Sequence, residues 1–463
     1  MNTAEDDAVV RAYTLKEVDF TWRGQKMRLA LSHGIFSSRD IDPGTRLLLK
    51  SVSLLLDSKA TEGRQLPAQI LDAGCGCGVI GIALARALIA AGASGKAAER
   101  ETASPDRTIR VRAQDRDELA RAFTQVNSRQ NGLDDRTLVA FAEPLLAGPP
   151  DARYDLILSN LPAKAGLSVL KDFIRRSPSL LSSGGQVAVV IVNTLAADVR
   201  VWISETGSLL QGTERGEGHT VFIFGRPPMA TKTAEGAVTP HATTGPYFRG
   251  KAEYETAGVR YELESLHGVS DFDQAGTDSI LASLLFDRLL ERGVLRMDAD
   301  TSLNGSVSER TQKPVRILVH EGAHGHFPVR LVKASNPWRF VLCGRNVLAL
   351  DIQARNVRAA SPGGQVEACV PVADLALAAT RLLECFGTTD AIVAFPELVP
   401  RVEWTGGLWT AGRTLLGPGG IMVVSVKSTE AERFDRCRPS GFAREGEIKR
   451  DGFRALAYRR VSS

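Results

Sequence analysis

No run of about 18 apolar residues occurs anywhere in the 463-residue chain, so no membrane-spanning helix is expected. The opening residues, Met1-Asn2-Thr3-Ala4-Glu5-Asp6-Asp7, are acidic and lack the apolar stretch of a secretory signal. Six cysteines, at 75, 77, 343, 369, 385 and 437, follow neither disulfide nor zinc spacing. A cytoplasmic protein with no membrane contact and no bound metal is the expectation. Strong charge bias is missing too: 57 Lys+Arg stand against 53 Asp+Glu, a net charge of +4. That excludes a basic tail but leaves a basic groove open, because a groove is a matter of arrangement. With 43% hydrophobic and 24% charged residues, the chain has the composition of a globular protein of two or three domains.

What is abundant is glycine, concentrated in Ile70-Leu71-Asp72-Ala73-Gly74-Cys75-Gly76-Cys77-Gly78-Val79-Ile80-Gly81. An apolar strand ends, the backbone turns tightly, and a helix begins. Gly76-x-Gly78-x-x-Gly81 alone satisfies a dinucleotide pattern, a weak signal. Asp72 argues for a different ligand, since a carboxylate beside the turn repels pyrophosphate. S-adenosylmethionine has no phosphate and carries an ammonium and a sulfonium, which an acidic loop accommodates. Cys75 and Cys77 interleave the glycines without a second ligand pair, which argues against a metal there.

In chain order, residues 11 to 35 read as short strands with a turn at Arg23-Gly24. Asp42-Pro43-Gly44-Thr45 caps a helix. Residues 90 to 107 read as a surface insertion. A second strand ends in Asp115, followed by a helix stopped at Asn131-Gly132. A third leads to Glu143, and a fourth, Tyr154 to Leu158, ends in Ser159-Asn160-Leu161-Pro162-Ala163. Strands alternating with helices predict an α/β fold with a parallel sheet and ligands at the strands' carboxyl ends.

The second half repeats the first. Met27 to Ile35, ending in His33-Gly34-Ile35, matches Tyr261 to Val269, ending in His267-Gly268-Val269. Leu180-Leu181-Ser-Ser-Gly184-Gly185 matches Leu415-Leu416-Gly-Pro-Gly419-Gly420, and Asp155-Leu-Ile-Leu matches Asp390-Ala-Ile-Val. The expected organisation is a tandem duplication of a Rossmann-like domain: residues 1–226 catalytic, a linker at 227–246, and 247–463 a degenerate copy used for substrate docking. Aligning Asp72-x-Gly74-x-Gly76-x-Gly78 with His320-x-Gly322-x-His324-x-His326 fills the second turn with side chains, and Pro328 interrupts the helix start. Asp115 falls opposite Gly344, and Asn160 opposite Phe395. The three histidines read as incidental rather than as metal ligands.

Gly34-Ile35-Phe36-Ser37, Asp42-x-Gly44-Thr45-x-Leu47-Leu48, the 72–81 turn, Asn131-Gly132-Leu133 and Asp155-Leu-Ile-Leu-Ser159-Asn160 together resemble the methyltransferase small-domain group. The resemblance covers roughly residues 15 to 225. That group includes ribosomal RNA guanine-N2 methyltransferases, some of them duplications whose degenerate copy comes first; here it comes second. The resemblance implies a class I S-adenosylmethionine-dependent methyltransferase. Cofactor-binding positions would be Phe36, Asp72, Gly74, Gly76, Gly78, Asp115, Glu143 and Asn160, with Asn160, Leu161 and Pro162 catalytic.

The side chains suit those roles. Asp115 offers two acceptor oxygens to the ribose hydroxyls, unless it caps the next helix. Asp72 faces the methionine ammonium, and Glu143 the adenine amine, unless it is a surface charge. Asn160's side-chain oxygen and the next backbone carbonyl can orient an exocyclic amine without a strong base. The group's usual motif is Asn-Pro-Pro followed by an aromatic; here Ala163 stands in its place, so Phe36 is a candidate stacking face. Three functions remain open. One is methylation of a guanine amine in structured RNA, such as ribosomal RNA or a ribosomal subunit, by a monomer whose groove uses Lys26, Arg39, Lys164, Arg175 and Arg176. The others are a methyltransferase for a protein side chain or small molecule, and a non-catalytic RNA-binding or S-adenosylmethionine-sensing protein.

Overall fold

A computed structural model describes residues 3–36, 39–93, 108–226, 245–295, 314–334, 338–361 and 365–461. Most of the expected insertion and the expected linker lie outside them. The chain forms two compact units, Met1–Tyr247 and Phe248–Ser463.

The first unit opens with a helix, α1 (Thr3–Tyr13), that takes in residues 11 to 13 of the stretch expected to be strand, before the hairpin β1 (Lys16–Trp22) and β2 (Gln25–Leu31). Only Asp6, Val9 and Val10 of α1 are buried, so its apolar face is too small to read as a helix. Charge fixes it instead. Asp6 forms a buried ion pair with Arg121, and Asp7 meets Arg129 at 2.7 Å. Next come α2 (Pro43–Thr61), β3 (Gln69–Ala73), α3 (Val79–Ala93), β4 (Arg110–Asp115), α4 (Glu118–Gln130), β5 (Leu138–Ala142) and β6 (Tyr154–Asn160). They are followed by α5 (Leu167–Arg176), β7 (Leu181–Val192), α6 (Ala196–Glu205), β8 (Leu209–Arg215) and β9 (His219–Gly225). The sheet order is β5-β4-β3-β6-β7-β9-β8, with the first five strands parallel and β9 and β8 antiparallel. The order reverses at β3/β6, which places the ends of β3, β4 and β6 at the switch point where such sheets hold ligands. Apolar strands such as Leu156-Ile157-Leu158 are buried on both faces, as a helix-covered parallel sheet requires.

The second unit carries β10 (Phe248–Thr256), β11 (Val259–Leu266), α7 (Thr277–Glu291), β12 (Val315–His320), α8 (His326–Ala334), β13 (Trp338–Gly344), α9 (Val347–Ala360) and β14 (Val366–Pro371). It closes with α10 (Leu375–Phe386), β15 (Thr389–Ala394), α11 (Thr405–Leu415), β16 (Leu416–Lys427), α12 (Ser428–Arg436), β17 (Phe442–Arg450) and β18 (Phe453–Arg460). Its sheet order, β14-β13-β12-β15-β16-β18-β17, reproduces that of the first unit strand for strand. Pro328 does not interrupt α8. It is the third residue of the helix, within the first turn, whose N–H groups have no intrahelical acceptor to lose.

Candidate functional site

The glycine turn joins β3 to α3 with positive φ at Gly74 (77°), Gly76 (58°) and Gly78 (86°). The glycines serve two purposes. A Cβ on Gly78 would lie 2.9 Å from Ile82 and 3.0 Å from Thr124, and one on Gly81 would lie 3.0 Å from the Asp72 carboxylate, so these two allow close packing. Side chains at Gly74 and Gly76 would begin in ordinary van der Waals contact, 3.5 Å from Leu145 and 3.8 Å from Ile35, so crowding does not require glycine at these two positions. The turn is stitched in place: Gly74 and Cys75 donate to the Gln114 carbonyl at 2.8 and 3.0 Å, and Asn127 Nδ2 donates to the Cys77 carbonyl at 2.9 Å. Both thiols are buried, which pushes their pKa values up and keeps them protonated.

Asp72 is fully buried. Its Oδ2 accepts the Gly81 N–H at 2.8 Å, while its Oδ1 has no partner among the described residues. Burial raises its pKa to about 7; the Gly81 bond opposes this, and the charge of Asp115 adds to it. An orphaned carboxylate oxygen at the turn fits an ammonium and disfavours a pyrophosphate. Asp115, at the tip of β4, accepts from Gly76 N at 3.1 Å through Oδ2 and from Asp117 N at 3.1 Å through Oδ1. Burial and the neighbouring Asp117 raise its pKa to about 6. It is not the helix cap: Asp117 fills that place by accepting from Leu119 N at 2.8 Å.

Glu143 follows β5, and its N–H donates to the Asp115 carbonyl at 2.7 Å, so this loop borders the same corner. Its carboxylate is engaged by Arg112 at 2.5 Å, and that guanidinium lies over the Phe141 ring at 3.7 Å. Glu143 is therefore half of an ion pair rather than a loose surface charge. Phe36 is 70% exposed and so is not a core residue. Its neighbour Ile35 stands 3.8 Å from where a Gly76 side chain would begin, which sets this loop over the glycine turn.

Asn160 ends β6, and its Nδ2 donates to Asp42 Oδ2 at 2.9 Å and to Thr45 Oγ1 at 3.0 Å. A carboxylate only accepts, so the amide orientation is fixed with the NH₂ toward α2 and Oδ1 turned away. Asp42 also accepts from Thr45 N at 3.2 Å as the cap of α2. One carboxylate thus starts the helix and aims the asparagine. Asp42-Pro43-Gly44-Thr45 was legible only as a helix start; its second task depends on β6 lying beside it. Leu161 is buried and donates to the Val190 carbonyl at 3.0 Å, whereas Pro162 is exposed and accepts from Ala165 N at 2.8 Å. Of the expected groove cations, Lys26, Arg39 and Lys164 are exposed. Arg175 pairs with Glu205 at 3.1 Å, and Arg176 with Asp172 at 2.8 Å.

The second unit shows where the expected alignment slips. Its left-handed residues are Glu321 (57°), Ala323 (47°) and Gly325 (89°), and these match Gly74, Gly76 and Gly78. The hydrogen bonds agree: Gly78 N to Cys75 O and Gly325 N to Gly322 O are both 2.8 Å. Val319, not His320, therefore stands in the place of Asp72. Glu321 Oε1 accepts from Arg345 N at 2.7 Å, and a Cβ on Gly344 would lie 2.9 Å from Oε2, so a glutamate fills the corner that Asp115 holds in the first unit. His324 accepts from Leu266 N at 3.0 Å and bonds the Ser270 carbonyl, and His326 bonds Tyr261 Oη and the Asp271 carbonyl, each at 3.0 Å. Burial lowers both pKa values and keeps these rings neutral, with both nitrogens committed to the chain itself.

Known proteins share this fold. Residues 26–221 match the model of the methyltransferase small domain. An uncharacterized Bacillus subtilis protein, YbxB, is 28% identical over 181 residues, 39% of this chain and 72% of that protein. The ribosomal RNA small subunit methyltransferase C of Shewanella pealeana is 29% identical over 161 residues, 34% of this chain and only 38% of that enzyme. The solved 16S rRNA N2 methyltransferase of T. thermophilus, in complex with AdoMet and guanosine, shares the fold over 97% of this chain and 99% of its own, with a TM-score of 0.57 and 16% identity. Residues 26–221 thus match the methyltransferase small-domain model, and the first unit is a class I S-adenosylmethionine-dependent methyltransferase domain.

Proposed function

We propose that the first unit methylates the exocyclic amine of a guanine in structured RNA, ribosomal RNA being the favoured source. The observation that carries this reading is the fixed amide of Asn160. With Nδ2 held by Asp42 and Thr45, Oδ1 is presented as an acceptor at the end of β6, beside the glycine turn. Together with the Leu161 carbonyl it can take an amine's two hydrogens and aim the nitrogen lone pair. S-adenosylmethionine supplies the methyl group. Asp72 Oδ1 would hold its ammonium, Asp115 its ribose hydroxyls, and the backbone of Gly74 and Gly76, bare of side chains, its remaining length. Phe36 is exposed over the turn and is the aromatic candidate for stacking on cofactor or base. The Arg112 ion pair leaves Glu143 as a shaping residue of the adenine side.

The likeness to ribosomal RNA methyltransferases supports RNA as the acceptor, with the exposed Lys26, Arg39 and Lys164 as phosphate contacts. Ala163, where the group has an aromatic, favours a second reading with a smaller acceptor. The second unit is read as a duplicate that keeps the fold and has lost the cofactor site: Val319, Glu321 and Gly344 stand for Asp72, Gly74 and Asp115. Its role would be to dock RNA. The test is transfer of tritiated methyl to ribosomal subunits and stripped RNA from cells lacking the protein, with Asp115→Ala and Asn160→Ala as controls. Label in one RNA fragment, absent with both variants, is the expected result. Cofactor binding with no RNA labelled would move the acceptor to proteins or metabolites.

A further inference from the structure

Tyr247 is the last residue of the first unit, and it closes a short helical turn, Gly245–Tyr247, that follows residues 227–244 in sequence. It is 3% exposed. Its Oη accepts the Leu145 N–H at 3.1 Å, and its turn packs against α5, the helix that follows the Asn160 motif. Leu145 in turn lies 3.5 Å from where a Gly74 side chain would begin. Two residues before Leu145, the Glu143 N–H is bonded to the Asp115 carbonyl. The loop from Glu143 to Leu145 thus runs between Asp115 and the Gly74 side of the glycine turn, and a tyrosine from beyond residues 1–226 holds its far end. The charges of Arg116, Asp115 and Asp172 act on the phenol, which agrees with that placement.

We propose that Tyr247 is a positioning residue for S-adenosylmethionine, holding the Glu143–Leu145 loop against the cofactor face of the glycine turn. The inference rests on the cofactor reading above and adds that the site is completed by a residue outside residues 1–226. A hydrogen bond accepted from a loop N–H fixes that loop before the ligand arrives, so its loss should weaken binding while leaving the methyl-transfer geometry at Asn160 intact.

The test uses the full chain. Tyr247→Phe keeps the ring and removes the acceptor; Tyr247→Ala removes both. S-adenosylhomocysteine is titrated calorimetrically into each, and kcat and the cofactor KM are measured beside it. Tyr247→Phe should weaken binding roughly three- to tenfold and raise KM in step, with kcat at saturating cofactor unchanged within about twofold. Tyr247→Ala should weaken binding further; if it fails to fold, Tyr247→Phe decides. Wild-type binding with equal affinity in Tyr247→Phe overturns this inference alone, as does a fall in kcat at unchanged KM. A wild-type chain that binds no S-adenosylhomocysteine overturns the cofactor reading and this inference with it.

Discussion

Cofactor affinity should depend on pH through Asp72. The carboxyl is fully buried at the end of β3, and burial outweighs the single Gly81 N–H to set its pKa at about 7. An ammonium against Oδ1 stabilises the charged form, so binding lowers that pKa and expels the proton. With a free-protein value of about 7, about nine chains in ten hold the proton at pH 6 and about one in ten at pH 8, so affinity at pH 6 should be about tenfold weaker. Proton release should be about 0.9 per binding event at pH 6 and about 0.1 at pH 8. Titrating S-adenosylhomocysteine calorimetrically in two buffers of different ionisation enthalpy counts those protons directly. Asp72→Asn should abolish the release. Constant affinity between pH 6 and 8 with no proton released would refute the ammonium assignment. For the unliganded fold the sign follows from the same shift. The folded pKa lies above the unfolded one, so the folded state holds a proton that the unfolded chain loses near pH 4. Stability therefore falls as pH rises from about 4 to 7, and bound cofactor offsets the loss.

On the proposed ribose contact, Asp115→Ala should weaken cofactor binding about a hundredfold, the loss of two hydrogen bonds to a charged acceptor, read by the same titration. Asp42→Ala frees the Asn160 amide and uncaps α2. Single-turnover kinetics should show the methyl-transfer rate falling about ten- to a hundredfold with cofactor affinity within about twofold, and denaturant unfolding a loss of about 1 kcal/mol. Asp6→Ala removes one carboxylate from the buried Arg121 guanidinium, which also pairs with Glu118, and should cost the first unit about 2–3 kcal/mol by denaturant unfolding.

The sheet was legible because its strands are apolar runs separated by helices of recognisable period, and the candidate site because glycines and carboxylates stand at strand ends. The helix α1 was not, since a long-range ion pair fixes it. The register of the second turn was missed for a related reason. Matching glycine to histidine by spacing kept the residue before the turn in line with Asp72, whereas the strand pairings put Val319 opposite Val393, as Asp72 lies opposite Leu158. Equally invisible were the bonds from Asp42 and Thr45 to Asn160 and from Tyr247 to Leu145, which join residues more than 100 positions apart in the chain.

Glu321 and Ala323 keep a left-handed backbone without glycine, at a cost of order 1 kcal/mol each. Something other than a cofactor must hold that path. In the first unit Asn127 bonds Ala30 on β2 and the Cys77 carbonyl; in the second, Asn356 bonds Glu264 on β11 and the His324 carbonyl. The same asparagine clamp ties hairpin to turn in both. The turn is therefore a structural joint first, and its shape does not depend on the ligand. With that joint secure, a side chain can occupy the corner that Asp115 holds in the first unit without loss of fold, as Glu321 does. Glycine at 74 and 76 is then the informative feature of the first unit. Backbone geometry alone tolerates other residues there, so the bare backbone accords with the cofactor site proposed above.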